Sequence, residues 1–158
     1  MNQPLTIDDA RQSLNAHLAA KGDELHAKYG PHIGWAELQR ILADRACVRY
    51  PCEIQFDAAP LLAGEFAQPI AKGARPEDGF TIFVHPAYAG RLEEVSWLVL
   101  YQLVAVNYGW FAGPDDAETF GSHALGLAKE DYYEGVCRLA DQVGAAESNY
   151  PIRAGSCA

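Results

Sequence analysis

Trp97-Leu-Val-Leu-Tyr-Gln-Leu-Val-Ala-Val106 is the stretch around which this chain has to fold. Read at the helical repeat it is apolar on every side, the mark of a helix enclosed by protein rather than laid on a surface. Extended back to Val95, the run is interrupted by Ser96, Tyr101 and Gln102 and is too short to cross a bilayer. Glu93 and Glu94 put negative charge where the first turn exposes its amides, and Tyr108-Gly109 closes the element. A buried helix is therefore expected from Arg91 to Asn107.

Upstream of it, Phe80-Thr-Ile-Phe-Val84 is the strongest strand signal, stopped by Pro86. The segment from Pro60 to Gly79, rich in Gly and Pro, is expected as a loop or hairpin connection. Ala46-Cys-Val-Arg-Tyr50 and Glu53-Ile-Gln-Phe-Asp57 each alternate and flank Pro51, which predicts two more strands. Near the start, Thr6-Ile-Asp-Asp9 has the form of a capping box, so a helix should begin there. It runs through Leu14, Leu18 and Leu25, with Gly22 as a weak point, to a stop at Tyr29-Gly30-Pro31. Trp35 to Arg45 repeats the pattern. Downstream, helices are expected from Pro114 to Leu127 and from Lys129 to Val143. The expected fold is α+β: a helix-rich single domain over 1–144 with a small mixed sheet, followed by a loose tail over 145–158.

Composition narrows the function. A chain of 158 residues with 49% hydrophobic and 21% charged residues can bury a core unaided. Its net charge of -9 and its scattered Lys and Arg argue against nucleic acid as a partner, because phosphate backbones are bound by concentrated positive charge. Only folding could assemble a positive patch. No signal-peptide pattern opens the chain and no membrane partner is indicated, so a cytoplasmic protein is expected. Cys47, Cys52, Cys137 and Cys157 lack the paired spacing of a zinc site and read as free thiols, although Cys47 and Cys52 could close a small loop across Tyr50-Pro51.

The order of strand, short connection, buried helix, glycine-containing turn and Asp116-Ala-Glu-Thr-Phe-Gly121 resembles the zincin-like metallopeptidases, whose metal helix reads His-Glu-Leu-x-His and whose next helix supplies an acidic ligand. The resemblance spans Phe80 to Leu127. It puts Tyr101 at the first histidine, Gln102 at the catalytic glutamate and Ala105 at the second histidine, while Glu118 stands at the acidic ligand, with Phe120 and Gly121 at the packing positions behind it. The implied arrangement is zincin-like with its chemistry erased. Tyrosine, with a pKa near 10, is a poor zinc ligand at neutrality, alanine is none, and a carboxamide is no general base.

Neither a metal nor a cofactor is therefore expected. The candidate vestigial pocket comprises Tyr101, Gln102, Ala105, Glu118 and His123, with His85 as a further histidine near it. Tyr108, Trp110 and Phe111, adjacent aromatics that cannot easily all point inward, are a candidate partner surface. The function expected is a non-catalytic binding or scaffolding protein whose partner is another protein or a small ligand. The alternative is a metal-free enzyme using a repurposed pocket around Glu118. A third possibility is an unrelated α+β protein in which the motif match is coincidental.

Overall fold

The structure, a computed structural model, describes residues 4–146. Helix α1 (Ile7–Tyr29) begins on the expected cap: the Asp9 amide donates to the Thr6 hydroxyl at 3.0 Å, and the Thr6 amide donates to the Asp9 carboxylate at 3.1 Å. It stops before Gly30, whose amide turns back to the His26 carbonyl. Helix α2 (Trp35–Ala43) buries Leu38, Ile41 and Leu42. It ends short of Arg45 because Asp44, its C-cap, leaves the helical conformation.

Residues 46–50 form no strand, against the expectation from their alternation. The amides of Cys47 and Val48 both donate to the Asp44 carbonyl at 2.9 Å, and the Ala46 amide donates to the Asp44 carboxylate at 2.9 Å. The segment is thus a turn bonded to its own backbone. Val48 drops into the core and Arg45 and Arg49 stay outside, so the alternation is real but faces no neighbouring strand.

The sheet holds β1 (Cys52–Phe56), β2 (Ala67–Ala71) and β3 (Phe80–Val84) in the order β1-β3-β2. β1 runs parallel to β3, with Ile54 beside Ile82, and β2 runs antiparallel, with Pro69 opposite Ile82. The mixed sheet is as expected, but β2 lies inside the stretch read as a loop. Its Pro69 has no amide to give to a ladder, which an edge strand tolerates.

Helix α3 (Leu92–Tyr108) carries the core: Leu98, Val99, Leu100 and Leu103 are buried among β2, β3 and the surrounding helices. Its enclosure is incomplete. Trp97, Tyr101 and Gln102 are half-buried and Ala105 is exposed, so one strip of a helix expected to be covered all round is open. Two helices flank this strip, α4 (Pro114–Leu125) and α5 (Lys129–Ala146). Helix α5 includes 145 and 146, which the sequence reading puts in the tail, and residues 147–158 of that expected tail lie outside the described residues.

Gly22 is where α1 crosses α4 rather than a flaw in α1. A Cβ there would stand 2.6 Å from the His123 Cβ and 2.8 Å from the Phe120 carbonyl oxygen. Asn15 holds the same crossing, donating to Asp115, Asp116 and Thr119 at 3.0 to 3.1 Å. Cys47 and Cys52 are free thiols, so no bridge closes across Tyr50-Pro51. Among the described residues no helix is long and apolar enough to cross a membrane.

Candidate functional site

The positions matched to a metal site lie on α3 and α4. Tyr101 meets Phe66 edge to face at 5.9 Å, and its phenol is pushed up to about 12, chiefly by burial, with the nearby Glu118 carboxylate and Tyr133 adding to it. Burial also raises Glu118, with Lys129 opposing and Asp115 reinforcing the shift. Tyr101 and Glu118 are therefore in electrostatic reach of each other. Gln102 and Ala105 join Tyr101 along a shallow groove of about 160 Å³ beneath Ala112, Gly113 and Pro114. That is below the roughly 300 Å³ at which small-molecule sites begin.

The space between α3, α4 and α5 is filled by an aromatic pair. Tyr132 donates to the Trp97 carbonyl at 2.7 Å and stacks on the Trp97 ring at 5.6 Å. Two glycines admit these rings: a Cβ on Gly121 would lie 2.2 Å from Tyr132 Cζ, and one on Gly135 would lie 2.2 Å from Trp97 Cζ3. Among the described residues no group of three His, Cys, Asp or Glu side chains is placed to hold a metal ion. His123 turns the other way, pairing through Nδ1 with Asp23 of α1 at 2.7 Å, so it does not join Tyr101. His85 accepts from the Ala87 amide at 3.0 Å and caps the short turn Pro86–Tyr88.

Of the aromatic trio, Tyr108 and Phe111 are each half-buried and each carries an arginine on its ring. Tyr108 is half-buried, bonded to His17 Nε2 at 2.9 Å, with the Arg49 guanidinium 4.6 Å above its ring. Phe111 lies under the Arg11 guanidinium at 4.9 Å. The Trp110 side chain is outside the described part of the structure.

A second concavity is one that the sequence did not point to. A cavity of about 470 Å³ opens between α1, the 45–49 turn and the end of α3. Leu18, Leu25, Val104 and Phe120 give it an apolar floor. Lys21 and Lys28, seven residues apart on α1, and Arg45 and Arg49, on either side of the turn, give it a cationic wall. The available signal was that pairing of a helix face with an Arg-x-x-x-Arg turn; reading residues 46–50 as a strand hid it.

Cys47 also lines this cavity, yet its thiol is pushed up to about 11 by burial, then by the Asp44 charge and the hydrogen bond to that carboxylate. A thiol kept neutral at pH 7 is a poor nucleophile.

The chain matches no protein-family model, no curated protein and no solved structure.

Proposed function

We propose that the protein is a non-catalytic binding domain on a zincin-like body whose metal chemistry has been replaced by aromatic packing. The observation that carries this reading is the Tyr132 ring, stacked on Trp97 and seated on Gly121, filling the space behind the α3 face that bears Tyr101. The succession of β3, α3 and α4 and the nearness of Tyr101 to Glu118 support the zincin-like part of it. Gln102 supports the non-catalytic part, since a carboxamide cannot take a proton from water.

The raised carboxyl of Glu118 favours a second reading, a metal-free enzyme around that residue. The 160 Å³ groove is lined by Tyr101, Gln102 and Ala117 rather than by Glu118, which gives a substrate little to occupy there.

Zinc analysis of the protein equilibrated with the metal, together with cleavage assays on a denatured protein substrate, tests the proposal. Neither tight zinc nor cleavage is expected. Stoichiometric zinc that is lost in Glu118→Gln overturns it, as does cleavage abolished by that substitution.

A further inference from the structure

In a chain of net charge -9, four of the 12 Lys and Arg residues, namely Lys21, Lys28, Arg45 and Arg49, line one cavity. One carboxylate, Glu24, joins them among the described lining residues. Gathering like charge in this way costs stability unless something opposes it. Part of the charge is answered: Lys28 pairs with Asp44 at 2.5 Å, and Lys21 lies 3.7 Å from Glu24. The guanidinium groups are not. Arg45 donates one nitrogen to the carbonyls of Leu42 and Val48, and Arg49 lies over Tyr108, but among the described residues neither meets a carboxylate.

The turn bearing both arginines is fixed in place. Asn107 of α3 accepts from the Arg49 amide and donates to the Cys47 carbonyl, each at 2.9 Å. The cationic wall is therefore mounted on the core helix instead of on a loose loop. Below it the floor is apolar, and about 470 Å³ falls in the range that takes a small organic ligand.

We propose that this cavity is a binding site for a small amphipathic oxyanion, whose carboxylate or phosphate head lies between Arg45 and Arg49 and whose apolar body rests on Leu18, Leu25, Val104 and Phe120. Guanidinium groups bind such heads in two-pronged fashion, and the floor supplies the rest of the affinity. The site is separate from the Tyr101 face and does not depend on the zincin-like reading.

Calorimetry on the full chain with octyl phosphate, octanoate, octanol and inorganic phosphate tests it. Octyl phosphate and octanoate should bind at one shared site, competing with each other and weakening with added salt. Octanol and inorganic phosphate should each bind at least about ten-fold more weakly, because each lacks half of the recognition. If octyl phosphate binds and octanoate does not, the head is a phosphate; the reverse makes it a carboxylate.

Arg45 also holds backbone carbonyls, so the variants are placed at residues with no such duty. Arg49→Gln and Lys21→Gln should each weaken octyl phosphate about ten-fold. Glu24→Gln should tighten it by about three-fold, a gain that a purely structural role would not produce. Octanol binding as well as octyl phosphate, or unchanged affinity in both cation variants of native fold, overturns the assignment, as does no binding of either anion.

Discussion

The Tyr132 ring takes the place that a side chain on Gly121 would need, with an ideal Cβ on that glycine falling 2.2 Å from Tyr132 Cζ and 2.4 Å from its hydroxyl oxygen. Tyr132 is fully buried and bonded to the Trp97 carbonyl, so the ring has little freedom to retreat. Gly121→Ala is expected to cost about 1–3 kcal/mol through overpacking, read as a lowered urea midpoint at constant slope. An unchanged midpoint would mean that the space between α3, α4 and α5 is looser than the ring packing implies.

Tyr101 makes the fold sensitive to base. Its phenol ionises near pH 10 in an unfolded chain and near 12 in the folded one, where burial and Glu118 hold the proton. Between those values the unfolded chain gives up a proton that the folded chain keeps. Stability is then fully present below pH 10 and is lost as pH rises toward 12. Tyr132 is shifted the same way, so Tyr101→Phe should flatten this loss without abolishing it. Urea titrations across that window compare the two slopes, and identical slopes would place Tyr101 in water.

How much of this was legible in the sequence follows from which forces are local. The cap at Thr6, the stop at Gly30-Pro31 and the strand at Phe80 are set by neighbouring residues, and each appears where expected. β2 was hidden because Pro69 speaks against a strand unless the strand is known to be an edge. The turn at 46–50 alternates as a strand would; what decides it is Asp44, whose carbonyl and carboxylate take three amides of the following residues. At the candidate site, the nearness of Tyr101 to Glu118 could be anticipated because the two residues lie on consecutive helices. The cationic cavity was hidden, because Lys21, Arg49 and Val104 come from three distant segments and the turn that carries Arg49 alternates as a strand would. His123 was misplaced for a simpler reason: its side of α4 faces Asp23.

Asp44 gives the fold an acid-side dependence of opposite sign. Its carboxyl is held well below the usual carboxylate range by hydrogen bonds from Lys28, Tyr29 and the Ala46 amide, in that order. A depressed carboxyl adds stability above its unfolded value, near 3.9, and that contribution disappears as pH falls through the folded value. Asp44→Asn should lower stability at neutral pH and remove much of the acid dependence. Thermal melts of both proteins from neutral to acid pH should converge; parallel curves would contradict the role of these bonds.

Cys47 and Cys52 are both expected to be slow thiols. Each is pushed from 9 to about 11, mainly by burial, so the thiolate is scarce at neutral pH. Alkylation by iodoacetamide should be about 100-fold slower than for an unperturbed thiol, the ratio that a shift of two pH units imposes on the thiolate fraction. Peptide mapping after timed labelling reads each rate separately. Fast labelling of Cys47 in the folded protein would show instead that the surrounding cations outweigh burial and Asp44, and would reopen a nucleophilic role for the cavity.

Asn107 couples stability to the proposed ligand site in a way that a pair of substitutions can separate. Its carboxamide oxygen accepts from the Arg49 amide and its nitrogen donates to the Cys47 carbonyl. Asn107→Ala leaves both backbone groups unpaired and should cost about 1–3 kcal/mol while freeing the turn that carries Arg45 and Arg49. Asn107→Asp keeps the acceptor for Arg49 but sets a carboxylate against the Cys47 carbonyl and beside the cationic wall. Alanine loses both bonds and aspartate only the one to Cys47, but the aspartate also supplies the negative charge that a bound anion would have brought. Octyl phosphate binding should therefore fall further in Asn107→Asp than in Asn107→Ala, whichever unfolds at the lower temperature. Losses that instead follow melting temperature alone would show that the turn matters for folding and that its charge has no part in binding.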